Sequence, residues 1–263
     1  MTAEIAIELR GVRKSFRDKP VLRGLDLALL AGETTTILGG SGSGKSVCLK
    51  HMIGLLHADA GEIRVFGRDV TRLAEPGWVA ARREFGMVFQ GGALFDSLSV
   101  YENVAYPIRE HMDWPEARVR ERVRHCLDGV GLAGIEALLP AELSGGMRKR
   151  VAVARAIALE PRIVLYDEPT TGLDPANSRR VGKLIAALQQ QLSATSVVVT
   201  HDLELCFAIS DRVALLRDGR VVVNGTTDEV RAHAELRAFM EDGDRPPPPP
   251  ARGEAAGRGE SHG

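Results

Sequence analysis

Eight consecutive residues, Gly39-Gly40-Ser41-Gly42-Ser43-Gly44-Lys45-Ser46, hold the densest chemistry in the chain. Glycines let successive backbone N–H groups turn inward around an anion, and a helix starting just afterwards aims its positive end at the same point. In such a cradle Lys45 neutralises the β and γ oxygens of a nucleotide, and the Ser46 hydroxyl is placed to ligate magnesium. Taken alone, the glycine–serine stretch also reads as a flexible linker. Its flanks argue otherwise. The run Thr34 to Leu38 enters it as a strand, and Val47, Leu49, Met52, Ile53 and Leu56 leave it as an apolar helix, which is the context a phosphate-binding loop requires.

Further groups stand at the ends of other apolar runs. Ile163-Val164-Leu165-Tyr166-Asp167-Glu168 is a strand closed by two acids. Asp167 is suited to hold magnesium through water, and Glu168 to orient or deprotonate an attacking water, a role that needs a carboxylate near the metal but not on it. The competing reading is two acids capping the turn before Pro169. Ser144-Gly145-Gly146 precede a helix expected from Met147, with Val151, Ala154 and Ala158 on one stripe. They form either an ordinary serine cap or a second anion site. Gln90 follows the strand candidate Met87-Val88-Phe89, and His201 follows Val197-Val198-Val199-Thr200. Both occupy carboxyl ends of strands, where ligands of open α/β sheets gather, and the Gln90 amide would reach magnesium or the attacking water. Phe16 either stacks on an adenine ring or belongs to the core.

The elements that must position these groups are visible as short runs. Ile5 to Leu9, Leu25 to Leu29, Thr34 to Leu38 and Glu62 to Phe66 are extended, and helices alternate with apolar strands later in the chain. That order predicts an α/β fold in which a mixed β subdomain feeds a parallel-sheet core. Thr34 to Leu38, Ile163 to Tyr166 and Ser196 to Thr200 are apolar or β-branched throughout, as parallel strands covered on both faces are. Val119, Val123, Leu127 and Val130 mark one face of a helix between Asp113 and Gly131. It belongs to an inserted helical subdomain at about 91–160, with Arg118, Arg122 and Arg124 as its solvated face. Asp218-Gly219 between two apolar runs signals a hairpin, and Thr226 with Glu229 a capping box. The folded domain is expected over 1–241. The Pro/Gly-rich segment 242–263, with prolines at 246 to 250, reads as a disordered tail.

Composition narrows the partners. With 34 Lys+Arg against 35 Asp+Glu in 263 residues, global charge favours no nucleic acid. Cys48, Cys126 and Cys206 are far apart and lack metal-ligand spacing, so they are expected as reduced, mostly buried thiols. The start has no basic-then-apolar leader and no run is long enough to span a bilayer, which reads as a soluble cytosolic chain.

In order and spacing, Phe16, Gly39 to Ser46, Gln90, Leu143 to Met147, Tyr166-Asp167-Glu168, Gly172-Leu173-Asp174 and His201 resemble the motif series of ATP-binding cassette (ABC) ATPases, over about residues 5 to 240. The resemblance implies a magnesium-dependent ATPase of the P-loop NTPase fold, working as a homodimer around two ATP molecules. Ser144 and Gly146 would act across the interface, Asp174 would bridge the halves, and Ser144 with His201 would sense the γ-phosphate. The stretch Phe89 to Pro107, followed by Arg109-Glu110-His111, is similar to the ATPase subunits of maintenance-of-lipid-asymmetry (Mla) systems, which move phospholipid between bacterial envelope membranes. Met147, where most cassettes carry glutamine, adds to that likeness; a thioether there is expected to pack rather than hydrogen-bond. The finer resemblance implies a peripheral position on the cytoplasmic face of the bacterial inner membrane. Its implied partners are an integral-membrane permease docking on residues 91–107, an MCE-type periplasmic lipid-binding protein and, as an optional addition, a small STAS-domain subunit. A cassette importing a small solute such as an amino acid is the alternative. Cassettes acting on DNA or ribosomes usually carry two cassettes or a long coiled coil, and neither is seen here.

Overall fold

A computed structural model describes residues 4–242. In chain order the elements are β1 (Ile5–Phe16), β2 (Lys19–Leu30), β3 (Thr34–Leu38), α1 (Lys45–Met52), β4 (Ala60–Val65), β5 (Arg68–Asp69), α2 (Glu75–Ala81), β6 (Phe85–Val88), α3 (Val100–His111), α4 (Glu116–Gly129), α5 (Gly145–Ala156), β7 (Ile163–Asp167), α6 (Pro175–Leu192), β8 (Thr195–Thr200), α7 (Leu203–Ile209), β9 (Arg212–Arg217), β10 (Arg220–Thr226), α8 (Thr227–Ala232) and α9 (Ala234–Asp242). No helix among the described residues is long and apolar enough to cross a membrane. The segment read as a disordered tail lies outside the described residues, apart from Asp242.

Two sheets share the work. One is antiparallel, ordered β2-β1-β4-β5; the other is ordered β10-β9-β3-β8-β7-β6, parallel from β9 to β6, with β10 added antiparallel at its edge. Side chains alternate across the parallel strands, as a period of two requires. Leu165, Val197 and Val199 join the core under the antiparallel sheet, with Leu49 and Met52 of α1. Val164, Tyr166 and Val198 join the core under α3, α4, α5 and α6. Because both faces are covered, every residue of β3, β7 and β8 is buried. This anchoring is what holds the polar strand ends in fixed positions: Val164 and Tyr166 are 2% and 1% exposed, and each such apolar side chain contributes about 1.5–3 kcal/mol.

The crossover from β6 to β7 is the helical insertion, α3 to α5. Val119, Val123, Leu127 and Val130 do face its core. Arg122, expected in solvent, does not: its side chain is 11% exposed, pairs with Glu160 and donates to the carbonyls of Ile157 and Ala158, which closes the end of α5. α3 was not expected. Its apolar positions, Val100, Val104, Ala105 and Ile108, are interrupted by Pro107, but a Ser99–Glu102 capping box starts it and buried Asn103 pins the loop before it through Phe95, Leu98 and Ser99. β1 and β2 run well beyond the extended segments expected, because a turn at Arg17-Asp18, with Arg17 at φ 53°, joins them as one hairpin. α1 stops at Met52, so Leu56 lies outside it. The Asp218-Gly219 hairpin and the Thr226–Glu229 capping box form as expected, and all three cysteines are free and buried.

Candidate active site

β3 delivers the chain into the phosphate loop at Gly39, whose N–H donates to the Thr200 carbonyl at 3.3 Å. A Cβ on Gly39 would lie 2.5 Å from the Leu216 carbonyl oxygen, so only glycine allows this close approach. Gly44, at φ 107°, turns the chain into α1, whose first turn has no acidic residue to oppose the positive helix end. Lys45, 7% exposed, donates to the Gly39 and Gly40 carbonyls at 2.8 and 3.0 Å and lies 3.5 Å from Glu168 Oε1. Ser43 Oγ is buried without a hydrogen-bond partner, a donor that a phosphate oxygen would satisfy.

Ser46 Oγ donates to Asp167 Oδ1 at 2.8 Å. A hydroxyl beside a carboxylate is a hard oxygen set of the kind magnesium takes together with waters and phosphate, so these residues fit that ion. Past Asp167 the chain turns at Glu168, whose φ of 47° places it in the left-handed region, at a cost of about 1–3 kcal/mol. Surrounding bonds hold it there. Its N–H donates to Val199 O at 2.9 Å, and its carbonyl accepts from the Thr171 N–H at 3.3 Å and from Lys149 Nζ at 3.4 Å. Glu168 Oε2 accepts from Thr171 Oγ1 and Thr200 Oγ1 at 3.2 and 3.3 Å and is 2.9 Å from His201 Nδ1. Since the carboxylate accepts, Nδ1 carries the hydrogen, and the remaining ring nitrogen belongs to a side chain that is 57% exposed.

Not every expected residue is brought to this point. The Gln90 side chain is exposed, and among the described residues its amide makes no hydrogen bond to Ser46, Asp167 or Glu168; its carbonyl instead accepts from Lys149 Nζ. Phe16 is 43% exposed at the β1–β2 turn, with Lys14 Nζ 5.7 Å from its ring centre, so it does not belong to the core. Ser144 Oγ accepts from the Met147 N–H at 3.2 Å and caps α5, which begins at Gly145 rather than Met147. Met147 packs against the core of the helical insertion. A Cβ on Gly146 would sit 3.2 Å from Asn177 Oδ1, which places the Ser144 turn against the start of α6. There Asp174 accepts from the Ala176 and Asn177 N–H groups, both at 3.0 Å, and the Asn177 donors hold its carboxyl below the usual range. No hydrogen bond or ion pair among the described residues links Ser144-Gly145-Gly146 to the phosphate loop.

Sequence reasoning missed Thr171, Thr200 and Lys149, all of which bond to Glu168. Thr200 was counted only as strand. Lys149 carried a signal, being a charged residue on a helix face otherwise made of Ala152 and neighbouring apolar positions. Burial pushes its ammonium pKa down, while Glu168 and Asp167 pull it back up.

The ABC transporter family model matches residues 22–171. MlaF of Haemophilus influenzae, an intermembrane phospholipid transport system ATP-binding protein, is 41% identical over 89% of this chain and 89% of its own length. MetN of Symbiobacterium thermophilum, a methionine import ATP-binding protein, is 43% identical over 89% of this chain and 72% of its own. Among solved structures, cbiO1 of Clostridium perfringens, part of the ABC transporter complex cbiONQ, aligns with a TM-score of 0.81 at 30% identity, over 92% of this chain and 96% of that one. The dimeric post-hydrolysis form of the cassette MJ0796, bound to ADP and Pi, aligns with a TM-score of 0.78 at 31% identity, over 84% of this chain and 98% of that one. With the phosphate loop, the closing acids and the cassette fold in place, the chain belongs to the ABC transporter family, as an ATP-hydrolysing subunit.

Proposed function

We propose that this ATPase drives phospholipid transport between bacterial envelope membranes, as a homodimer that holds two ATP molecules between its copies. The observation that carries the hydrolytic reading is the fixed carboxylate of Glu168, set between Lys45 and His201 at the end of a fully buried strand. Gly39 to Ser46 cradle the phosphates, with Lys45 exchanging the Gly39 and Gly40 carbonyls for phosphate oxygens, and Phe16 stacks on the adenine. Ser46 and Asp167 would hold magnesium, with Gln90 as a further oxygen donor. The ion supplies charge neutralisation at the phosphates. Glu168 orients the attacking water and accepts its proton; His201 fixes Glu168 through Nδ1 and offers its other nitrogen to the γ-phosphate. Ser144, Gly145 and Gly146 of the second copy present the start of α5 to the same phosphate, and Asp174 lines the seam between copies.

The phospholipid assignment rests on the likeness to MlaF, and the likeness to MetN supports import of a small solute as the second reading. On either reading an integral-membrane permease docks on residues 91–107. There exposed Phe95 and Tyr106, with ring centres 4.9 Å apart, line an apolar groove of about 320 Å³ with Phe85, Phe89 and Pro107. The lipid reading adds an MCE-type periplasmic protein, a small STAS-domain subunit and a peripheral place on the cytoplasmic face of the inner membrane.

Two experiments test this. Glu168→Gln keeps size and removes the base, so turnover is expected to fall by about 10²–10⁴-fold with ATP binding retained; undiminished hydrolysis would remove Glu168 from its role. Purifying the chain with its membrane partners decides the substrate. An MCE-type protein with bound phospholipid supports the lipid reading, and a periplasmic amino-acid receptor overturns it.

A further inference from the structure

α5 does more than present its capped start. One turn into the helix, Lys149 is 8% exposed, and among the described residues it has no carboxylate within ion-pairing distance. A buried ammonium is costly unless it is hydrogen-bonded. Lys149 meets that need with two main-chain carbonyls, Gln90 at the exit of β6 and Glu168 at the exit of β7, the latter at 3.4 Å. Farther along the same face, Arg155 donates to the Gly92 and Ala93 carbonyls at 2.9 and 2.8 Å. Between them, a Cβ on Gly92 would rest 3.7 Å from Ala152 Cβ. Positions 149, 152 and 155 fall on one side of a helix, so α5 holds segment 90–93 along half its length. Lys149 differs from Arg155 in one respect: only Lys149 also reaches Glu168.

We propose that Lys149 is a positioning residue for hydrolysis, which fixes the spacing between the Gln90 and Glu168 strand ends by joining their carbonyls. The inference rests on the reading of Glu168 as the group that acts on the attacking water. Glu168 keeps its left-handed backbone only because its neighbours hold it. Removing the Lys149 bond leaves the Glu168 carbonyl with only the Thr171 N–H as donor among the described residues, which loosens the peptide that follows Glu168 and lets the carboxylate shift relative to the phosphate loop. The phosphate loop itself has no bond to Lys149, so the grip of that loop on the phosphates does not depend on it. Because α5 starts at the Ser144 turn, the same side chain also couples the place of that turn to the place of Glu168.

The test compares Lys149→Met, Lys149→Arg, Arg155→Met and Glu168→Gln in the full chain, reading kcat, KM for ATP, affinity for a fluorescent ATP analogue and Tm. Lys149→Met is expected to lower kcat by about 10-fold to 100-fold, the scale of a small misplacement of a reacting group, with KM and analogue affinity unchanged. Lys149→Arg, which keeps donors for both carbonyls, is expected to restore most of kcat. Arg155→Met severs the same loop without touching Glu168, and is expected to lower Tm while sparing kcat. If Lys149→Met does not fold, Lys149→Gln, which is shorter and carries no charge, takes its place with the same expected split. Wild-type kcat in Lys149→Met, or in the Lys149→Gln that replaces it, overturns the inference, and so does a kcat loss that Arg155→Met reproduces at equal loss of Tm. Glu168→Gln separates the two readings. Full turnover in that variant removes the base assignment itself, whereas an inactive Glu168→Gln beside a fully active Lys149→Met removes only the role of Lys149.

Discussion

α1 and α5 are built from similar parts and put them to opposite use. Each starts on a turn rich in glycine, neither has an acidic residue in its first turn, and each buries a lysine, Lys45 at 7% and Lys149 at 8% exposure. The carbonyls that hold Lys45 are those of Gly39 and Gly40, a few residues back in its own loop, with Glu168 Oε1 3.5 Å away. Those of Lys149 are Gln90 and Glu168, each at the end of a different strand. A lysine held by its own loop can release those carbonyls to a ligand while the fold around it stays put. One that bridges the exits of β6 and β7, neighbours in the sheet, cannot let go without leaving two strand-end carbonyls short of a donor. A buried lysine can thus mark either a place where a ligand enters or a tie that keeps the site in shape, and the sequence distance to the carbonyls it holds tells which.

Replacing the first lysine should give the larger effect on binding. Lys45→Ala removes charge-assisted bonds worth about 1.5–3 kcal/mol, so the Kd for ATP is expected to rise about 10-fold to 100-fold, measured by analogue titration. Equal weakening of ATP binding by Lys149→Met would erase the contrast. Ser144→Ala comes next. Loss of the cap on α5 is expected to lower stability by about 1 kcal/mol in urea unfolding. Because the Ser144 turn has no bond to the phosphate loop of its own copy, ATP affinity at protein concentrations too low for pairing should not change, while turnover falls where copies pair. A drop in single-copy affinity would mean that both helix starts serve one nucleotide within one chain.

What the sequence made legible follows the same division. Lys45 lies inside a contiguous motif and its partners are close along the chain, so its surroundings could be inferred from spacing alone. The strand ends were legible too, because β7 and β8 are buried on both faces and read as unbroken apolar runs that end in Asp167 or Thr200. Lys149, Thr171 and Arg155 were not, since their partners depend on how α5 crosses β6 and β7, a packing relation that no local pattern records. Arg122 was misplaced for that reason: a charged residue on an amphipathic helix looks solvated until the end of α5 meets it. α3 escaped because Pro107 reads as a helix breaker inside an otherwise regular stripe of Val100, Val104, Ala105 and Ile108, while the Ser99–Glu102 box and buried Asn103 that help hold it are short-range hydrogen bonds.

α3 also supplies the smallest expected effect and the control for the opening contrast, since its start is closed by its own acid. Ser99 N–H and Oγ donate to Glu102 Oε2 at 2.8 and 2.9 Å, and these donors hold the Glu102 carboxyl below its ordinary 4.5. A carboxyl lowered by folding contributes its stability in full above that ordinary value and loses it as pH falls through the lower folded value. Glu102→Gln still offers an acceptor oxygen but does not titrate. Tm of the wild type is therefore expected to approach that of Glu102→Gln as pH drops below 4.5. Parallel Tm profiles of the two proteins would show that the box adds nothing to α3. The α5 start has no such acid, so hydrogen exchange at its first amides should lack the acid-dependent opening expected at the α3 start. Carboxylate-closed and open helix starts would then be distinguishable in solution without any nucleotide, and an acid-sensitive α5 start would mean that its positive end is already opposed by a group from elsewhere in the fold.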